Sequence, residues 1–192
     1  MKKIVVASNN PGKLKEIKDI FSEAKIIPIK ILEEELGRAL DIEENENTFS
    51  KNAMFKARML YDQIGNDYVV LADDSGISID GLNGFPGVHT RRWMNANDHI
   101  KNLALIEKME GNNNRTCHYT TAIAVYGNNL SIVKECTLTG TMTKEVRGEN
   151  GFGFDEIFEL SNGKTLAQLT NEEKYEISPR KKVLEEIKKV FV

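Results

Sequence analysis

This 192-residue chain has little of several things, and each scarcity excludes something. It holds two cysteines, Cys117 and Cys136, too few for a disulfide-built scaffold and in no short-spaced pair of the kind that binds zinc. Its three histidines, His89, His99 and His118, share no metal-ligand spacing and read as structural or surface residues. No apolar run approaches the length of a membrane span, and Ile4 to Ala7 is too short for a signal-peptide core. The expected address is therefore the cytosol, and the expectation for Cys117 and Cys136 is reduced thiols, although a disulfide would form if their strands paired. Excess charge is also lacking. A formal net charge of −3 gives no bulk attraction to nucleic acid or anionic membrane, so an anionic ligand must be caught by locally placed Lys and Arg.

What is present is a patterned, core-forming chain, 40% hydrophobic, with no repeat and no dividing linker, which predicts a single domain over 1–192. The apolar run Ile4-Val5-Val6-Ala7 meets the turn Ser8-Asn9-Asn10-Pro11-Gly12-Lys13 and then a helix carrying Leu14, Ile17, Ile20, Phe21 and Ala24. Asn9 or Asn10 suits the cap and Pro11 the first helical position. Such a turn aims backbone N–H groups, a helix dipole and the Lys13 ammonium at one point, as a phosphate site requires; an ordinary strand-to-helix turn is the plainer alternative. Ile26 to Leu32 reads as an edge strand, because it contains Pro28, and Glu33 to Glu46 as an acidic loop. A helix follows with Phe49, Ala53, Ala57, Leu60 and Ile64 on one face. Tyr68 to Ala72 is a fully apolar strand. Asp98 is placed to cap a helix bearing Ile100, Leu103, Ile106 and Met109. Thr116 to Tyr126 and Leu130 to Val146 form a hairpin around Gly127-Asn128-Asn129, and a last helix after Ser178-Pro179 buries Val183, Leu184, Ile187 and Phe191. The pattern predicts an α/β fold with a mixed sheet.

Three stretches carry candidate chemistry. Asp73 and Asp74 follow the apolar strand directly, where buried carboxylates are costly unless cations or donors satisfy them. Neighbouring strand residues face opposite ways, so the two acids have different tasks: one toward a metal or water, one bracing the chain. Gly151-Phe152-Gly153-Phe154-Asp155 combines backbone donors, an aromatic ring and a carboxylate, which suits a planar base; a bulged strand with core phenylalanines is the alternative. Thr170 to Glu173 has capping-box form, with Lys174, Ser178 and Arg180 around the start of the last helix. The glycine-punctuated loop Gly81 to Gly87 and the pair Arg91 and Arg92 are weak signals alone.

In order along the chain stand Ser8 to Lys13, Thr48-Phe49-Ser50-Lys51-Asn52-Ala53 with Lys56-Ala57, Ala72-Asp73-Asp74-Ser75-Gly76, Gly87-Val88, Gly151 to Asp155, Glu173-Lys174 and Ser178-Pro179-Arg180. This series resembles the inosine triphosphate pyrophosphatase family over nearly the whole length. The resemblance implies an elongated mixed β-sheet flanked by helices, in two lobes with a central substrate cleft. It implies Mg²⁺-dependent hydrolysis of ITP, dITP and XTP to the monophosphate and pyrophosphate by a homodimer. Carried over, Ser8, Asn9, Asn10, Pro11, Gly12 and Lys13 would hold the triphosphate, and Ser75 would touch the substrate. Asp74 would activate water and join Glu43, or its neighbour Glu44, in binding the metal. Phe152, Gly153, Phe154, Asp155, Lys174, Pro179 and Arg180 would line the nucleoside pocket. The chain departs from the family pattern at Pro179, where a histidine is usual, at Phe154, usually Tyr or Trp, and at Glu156, usually Pro. These changes touch the base-reading half and imply altered base selectivity, while a nucleotide sensor without turnover is the reading from another class.

Overall fold

The computed structural model describes residues 3–42 and 44–191. Its elements, in chain order, are β1 (Lys3–Val6), α1 (Pro11–Ile20), β2 (Lys25–Pro28), α2 (Ile29–Leu36), α3 (Phe49–Ile64), β3 (Val69–Ile79), α4 (Asp98–Lys108), β4 (Thr116–Gly127), β5 (Leu130–Met142), β6 (Phe158–Glu159), α5 (Asn171–Ile177) and α6 (Pro179–Phe191). The six strands are ordered β2-β1-β3-β4-β5-β6. β1 runs parallel to both β2 and β3, whereas β5 and β6 are antiparallel, so the fold is mixed α/β as the alternation of patterns predicts. His118 bonds Thr139 and Thr120 bonds Thr137, the antiparallel register of a hairpin. Its turn places Asn128 and Asn129 at φ 52° and 65°, a conformation that asparagine tolerates better than most residues.

Contact density divides the chain into two compact units. The first, Met1–Asp74, Thr121–Cys136 and Arg180–Val192, packs Ile4, Val6, Ile17, Leu71, Ile123, Leu184 and Ile187 into one core. The second, Ser75–Thr120 and Thr137–Pro179, has its own core of Ile77, Ile79, Leu105, Cys117, Phe158 and Leu166.

Five sequence expectations are corrected. The strand expected to reach Leu32 stops at Pro28, whose fixed φ of −60° and missing N–H end the ladder and open α2. Ile29, Leu32 and Leu36 recur at helical spacing there, and Gly37 closes the helix at φ 65°, so the first residues of the supposed acidic loop are helical. β3 does not end at Ala72 but carries on through Asp73, Asp74 and Ser75 to Ile79. α4 is capped by Asn97, not Asp98, and buries Lys101, Asn102 and Leu105 while Ile100 and Leu103 are exposed; the polar contacts of Lys101 with Arg91 and of Asn102 with Gly153 set the face. β5 ends at Met142 instead of Val146, where the Thr143 hydroxyl turns back to the Glu145 carbonyl. Cys117 and Cys136 are free thiols, and burial pushes the Cys117 thiol up to about 12.

Candidate active site

The acids of β3 gather the site in the first unit. Asp73, 2% exposed, accepts from Arg180 Nε at 2.8 Å and from the Lys13 ammonium. Arg180, equally buried, also donates to Glu16 Oε1 at 3.2 Å. Burial alone would raise the Asp73 carboxyl, but Arg180 and Lys13 outweigh it and hold the group well below the usual carboxylate range. For Lys13, burial dominates and lowers the ammonium from its usual value against the pull of Asp73.

Asp74 faces differently, as alternation along a strand requires. Its Oδ1 lies 3.4 Å from Lys56 Nζ, and the same ammonium donates to Glu44 Oε1 and to the Asp73 carbonyl, each at 2.7 Å. Burial raises the Asp74 carboxyl; Lys56 opposes this, and the negative charges of Glu44 and Asp73 add to it. Asp74 Oδ2 is buried and makes no hydrogen bond among the described residues. α3 supplies Lys56 because Thr48 caps its N-terminus on Lys51 N and Gly65 ends it, with Asn52, Ala53, Lys56, Ala57 and Leu60 on the buried face.

The turn after β1 is built as its sequence suggests. Asn10 Oδ1 caps α1 by accepting from Gly12 N at 2.9 Å and Lys13 N at 3.2 Å, with Pro11 first in the helix. Ser8 Oγ accepts from Asn10 N, and Asn9 Oδ1 accepts from Lys30 N, which ties the turn to α2. Lys13, Asp73, Asp74 and Arg180 are thus brought together. Glu43 lies outside the described residues, whereas its neighbour Glu44 stands on Lys56.

The second unit holds an aromatic pocket of about 270 Å³, counting its open mouth, lined by Phe152, Gly153, Phe154 and Asp155 with Tyr119 and Phe158. Asp155 Oδ2 accepts from Phe152 N at 2.8 Å and from Lys174, whose ammonium sits 4.5 Å from the Phe152 ring centre. Gly151 is required here: at φ +91° a Cβ would lie 2.0 Å from Asp155 Oδ2. Lys174 is placed by α5, which Thr170 and Glu173 close with a reciprocal capping box. Ser75 lies half-buried on β3, and Pro179, expected in the pocket with Arg180, is buried as the first residue of α6. Neither Pro179 nor Arg180 lines the pocket among the described residues.

Sequence reasoning leaves Asn52 and Lys56 without a role, gives Asp98 only a helix cap and misses Asn102 altogether. Asp98 Oδ2 accepts from Gly153 N, and Asn102 Nδ2 donates to Gly153 O and to Glu156 Oε2. Their i, i+4 spacing was the available signal, since polar residues one turn apart share a helix face.

Fold and site together define a mixed α/β protein with paired, oppositely facing acids on a central strand and a capped lysine turn beside them. The chain belongs to the Ham1 family, whose model matches residues 4–190. It is 40% identical over 198 residues to the dITP/XTP pyrophosphatase of Caldanaerobacter subterraneus subsp. tengcongensis, covering 100% of this chain and 97% of that protein. The dITP/XTP pyrophosphatase of Clostridium tetani is 38% identical over 195 residues, covering 98% and 95%. Among solved structures, a HAM1 protein from Coxiella burnetii superposes with a TM-score of 0.88 at 36% identity, covering 100% of this chain and 98% of that one. The Staphylococcus aureus Ham1 protein also gives 0.88, at 32% identity and coverages of 99% and 98%.

Proposed function

We propose that the protein hydrolyses deaminated purine nucleoside triphosphates (ITP, dITP and XTP) to the monophosphate and pyrophosphate. The observation that carries this reading is Asp74: a buried carboxylate, one oxygen on Lys56 and the other without a hydrogen bond among the described residues, in a chain whose relatives are dITP/XTP pyrophosphatases. Asp74 serves as the base that takes a proton from water. Lys13 and the Ser8 to Gly12 turn hold the triphosphate, and Ser75 touches the substrate. Phe152 to Asp155 with Lys174 take the base by stacking and edge hydrogen bonds. Pro179 and Arg180 stay assigned to the base-reading set on the resemblance, although neither lines the pocket among the described residues and Arg180 is engaged by Asp73 and Glu16.

The donor set fits a divalent cation, and we assign Mg²⁺. Asp74 Oδ2 is a buried acceptor without a partner among the described residues, and Glu44 repels Asp74 nearby, a like-charge pair that a cation relieves. Mg²⁺ usually takes one or two carboxylates and completes its shell with water and substrate phosphate. Asp74 with Glu44 or Glu43 would hold it, and it would supply charge neutralisation on the phosphates. The homodimer rests on the resemblance; the cytosolic address and the lack of nucleic-acid or membrane partners rest on the sequence, on its net charge of −3 and the shortness of its apolar runs.

Base selectivity follows from the other half. Pro179 offers no side-chain hydrogen bond and Phe154 has no polar tip, so discrimination between ITP and GTP is narrower here than a histidine and a tyrosine would give. The test is pyrophosphate release over ITP, dITP, XTP, GTP and ATP, with and without Mg²⁺. Release from the deaminated purines only with Mg²⁺ supports the activity, and absence of release from every nucleotide sinks it in favour of a sensor. A wide ITP-over-GTP ratio in kcat/KM would remove the selectivity claim alone.

A further inference from the structure

We propose that α4 is a clasp on the loop 151–155: Asp98 and Asn102, with Glu156 as a second anchor, hold Gly153 in one conformation and so position the rings on either side of it for a nucleobase. The proposal rests on the reading above that this loop takes the base. Gly153 lies between Phe152 and Phe154, and all three line the aromatic pocket. Its φ is +67°, and a Cβ there would meet nothing within 4 Å, so packing does not hold the residue. Glycine crosses readily between positive and negative φ, and a turn of this backbone would swing both rings. What fixes it is hydrogen bonding from α4. Asp98 Oδ2 accepts from Gly153 N at 2.9 Å, and Asn102 Nδ2 donates to Gly153 O at 2.9 Å. The two residues stand one turn apart on the same helix face, so a single rigid element grips both backbone groups.

Packing does not explain Asn102 either. It is fully buried, and its Oδ1 has no hydrogen-bond partner among the described residues. A buried acceptor left unmatched costs stability, and an apolar side chain of similar size would avoid that cost. Its Nδ2 explains the amide, because it faces two acceptors, Gly153 O and Glu156 Oε2, the second at 3.1 Å. His99 Nδ1 meets the same carboxylate oxygen at 3.0 Å. Half-buried Glu156 is thereby tied to α4 just beyond Gly153, and the loop is anchored at two points. A proline side chain at 156 could accept from neither His99 nor Asn102. One of the chain's departures from the family pattern thus has a task. Asp98, Asn102 and Glu156 do not line the pocket among the described residues, so they act through Gly153 and are positioning residues. A loop already held in its binding conformation spares the ligand the cost of ordering it.

The test is steady-state hydrolysis of ITP with Mg²⁺ by the parent, Asp98→Ala and Asn102→Ala, with Phe152→Ala as a probe of the loop itself. D98A and N102A should each raise KM about tenfold while kcat stays within about twofold, because the loop is loosened and the reacting groups are untouched. Glu156→Ala, at a half-buried position, should raise KM in the same direction and serves if N102A does not fold. Asp98→Asn keeps a side-chain oxygen for Gly153 N and should bring KM back to within about threefold of the parent. A raised KM in F152A with the parent's KM in D98A and in folded N102A or E156A overturns the clasp and leaves the base-loop reading in place. So does a loss of kcat that parallels the rise in KM, or a D98N as impaired as D98A, since either marks a general structural role. An unchanged KM in F152A overturns the base-loop reading and the clasp with it, as does a parent that releases no pyrophosphate.

Discussion

Burial raises the Asp74 carboxyl above the usual carboxylate range, so its charged form costs stability in the fold. A carboxyl with a raised folded value imposes that cost progressively as pH climbs past its unfolded value, about 3.9, and fully above the folded one. Asp74→Asn should therefore abolish pyrophosphate release yet raise the Tm at pH 7, by roughly 2–4 °C for each kcal/mol recovered. The difference in Tm should close as pH falls toward about 4. Retained ITP binding in D74N marks an enzyme whose base has been removed; a Tm equal to or below the parent's at every pH would contradict the burial argument. Asp73 runs the other way. Its depressed carboxyl stabilises the fold fully above about pH 4 and loses that contribution only as pH falls through its folded value. Arg180→Met strips a cation from this buried acid, at a cost of about 3–5 kcal/mol, and thermal unfolding should show a large drop in Tm. The pairing of these acids with Lys13, Arg180 and Lys56 was not legible in the sequence, because the partners lie up to 107 residues away. That the two acids must differ in task was legible, from the alternation of a strand alone.

Elements with local signals were read well, and those decided by distant contacts were not. Thr48, Gly65, Asn10 and Pro11 mark helix ends by chemistry within a turn, and the structure places α1 and α3 there. β3 was cut short at Ala72 because two aspartates look like a strand end; it continues because Lys13, Lys56 and Arg180 meet them. α4 is legible only in its second half: Ile106 and Met109 pack in the core as their spacing predicts, whereas Ile100 and Leu103 are exposed because Lys101 and Asn102 are buried by bonds to other loops. The loop 151–155 depends on glycine in a way that can be tested. Gly151→Ala forces a Cβ onto Asp155 Oδ2 at a φ of +91°, so it should displace the Asp155–Lys174 pair beside the pocket. The expected outcome is a KM for ITP at least tenfold higher, with a smaller change in kcat, since the reacting groups lie elsewhere. An unchanged KM would show that this loop does not take the base.

For the whole molecule, the absence of excess positive charge noted at the outset finds its counterpart inside. Lys13, Lys56 and Arg180 are met by Glu16, Glu44, Asp73 and Asp74, so this cluster offers a triphosphate fixed donors but no net positive charge. A highly charged anion then needs a divalent cation with it, and EDTA should remove turnover, with Mg²⁺ restoring it. Full-length identity to dITP/XTP pyrophosphatases and the Ham1 fold were foreshadowed by the order of short blocks along the chain, no one of which was specific. The most direct measurement is the identity of the products. Phosphorus NMR of ITP incubated with the protein and Mg²⁺ should show IMP and pyrophosphate appearing in equal amounts, with no orthophosphate and no IDP. Orthophosphate with IDP, or an unchanged ITP spectrum, would contradict the account.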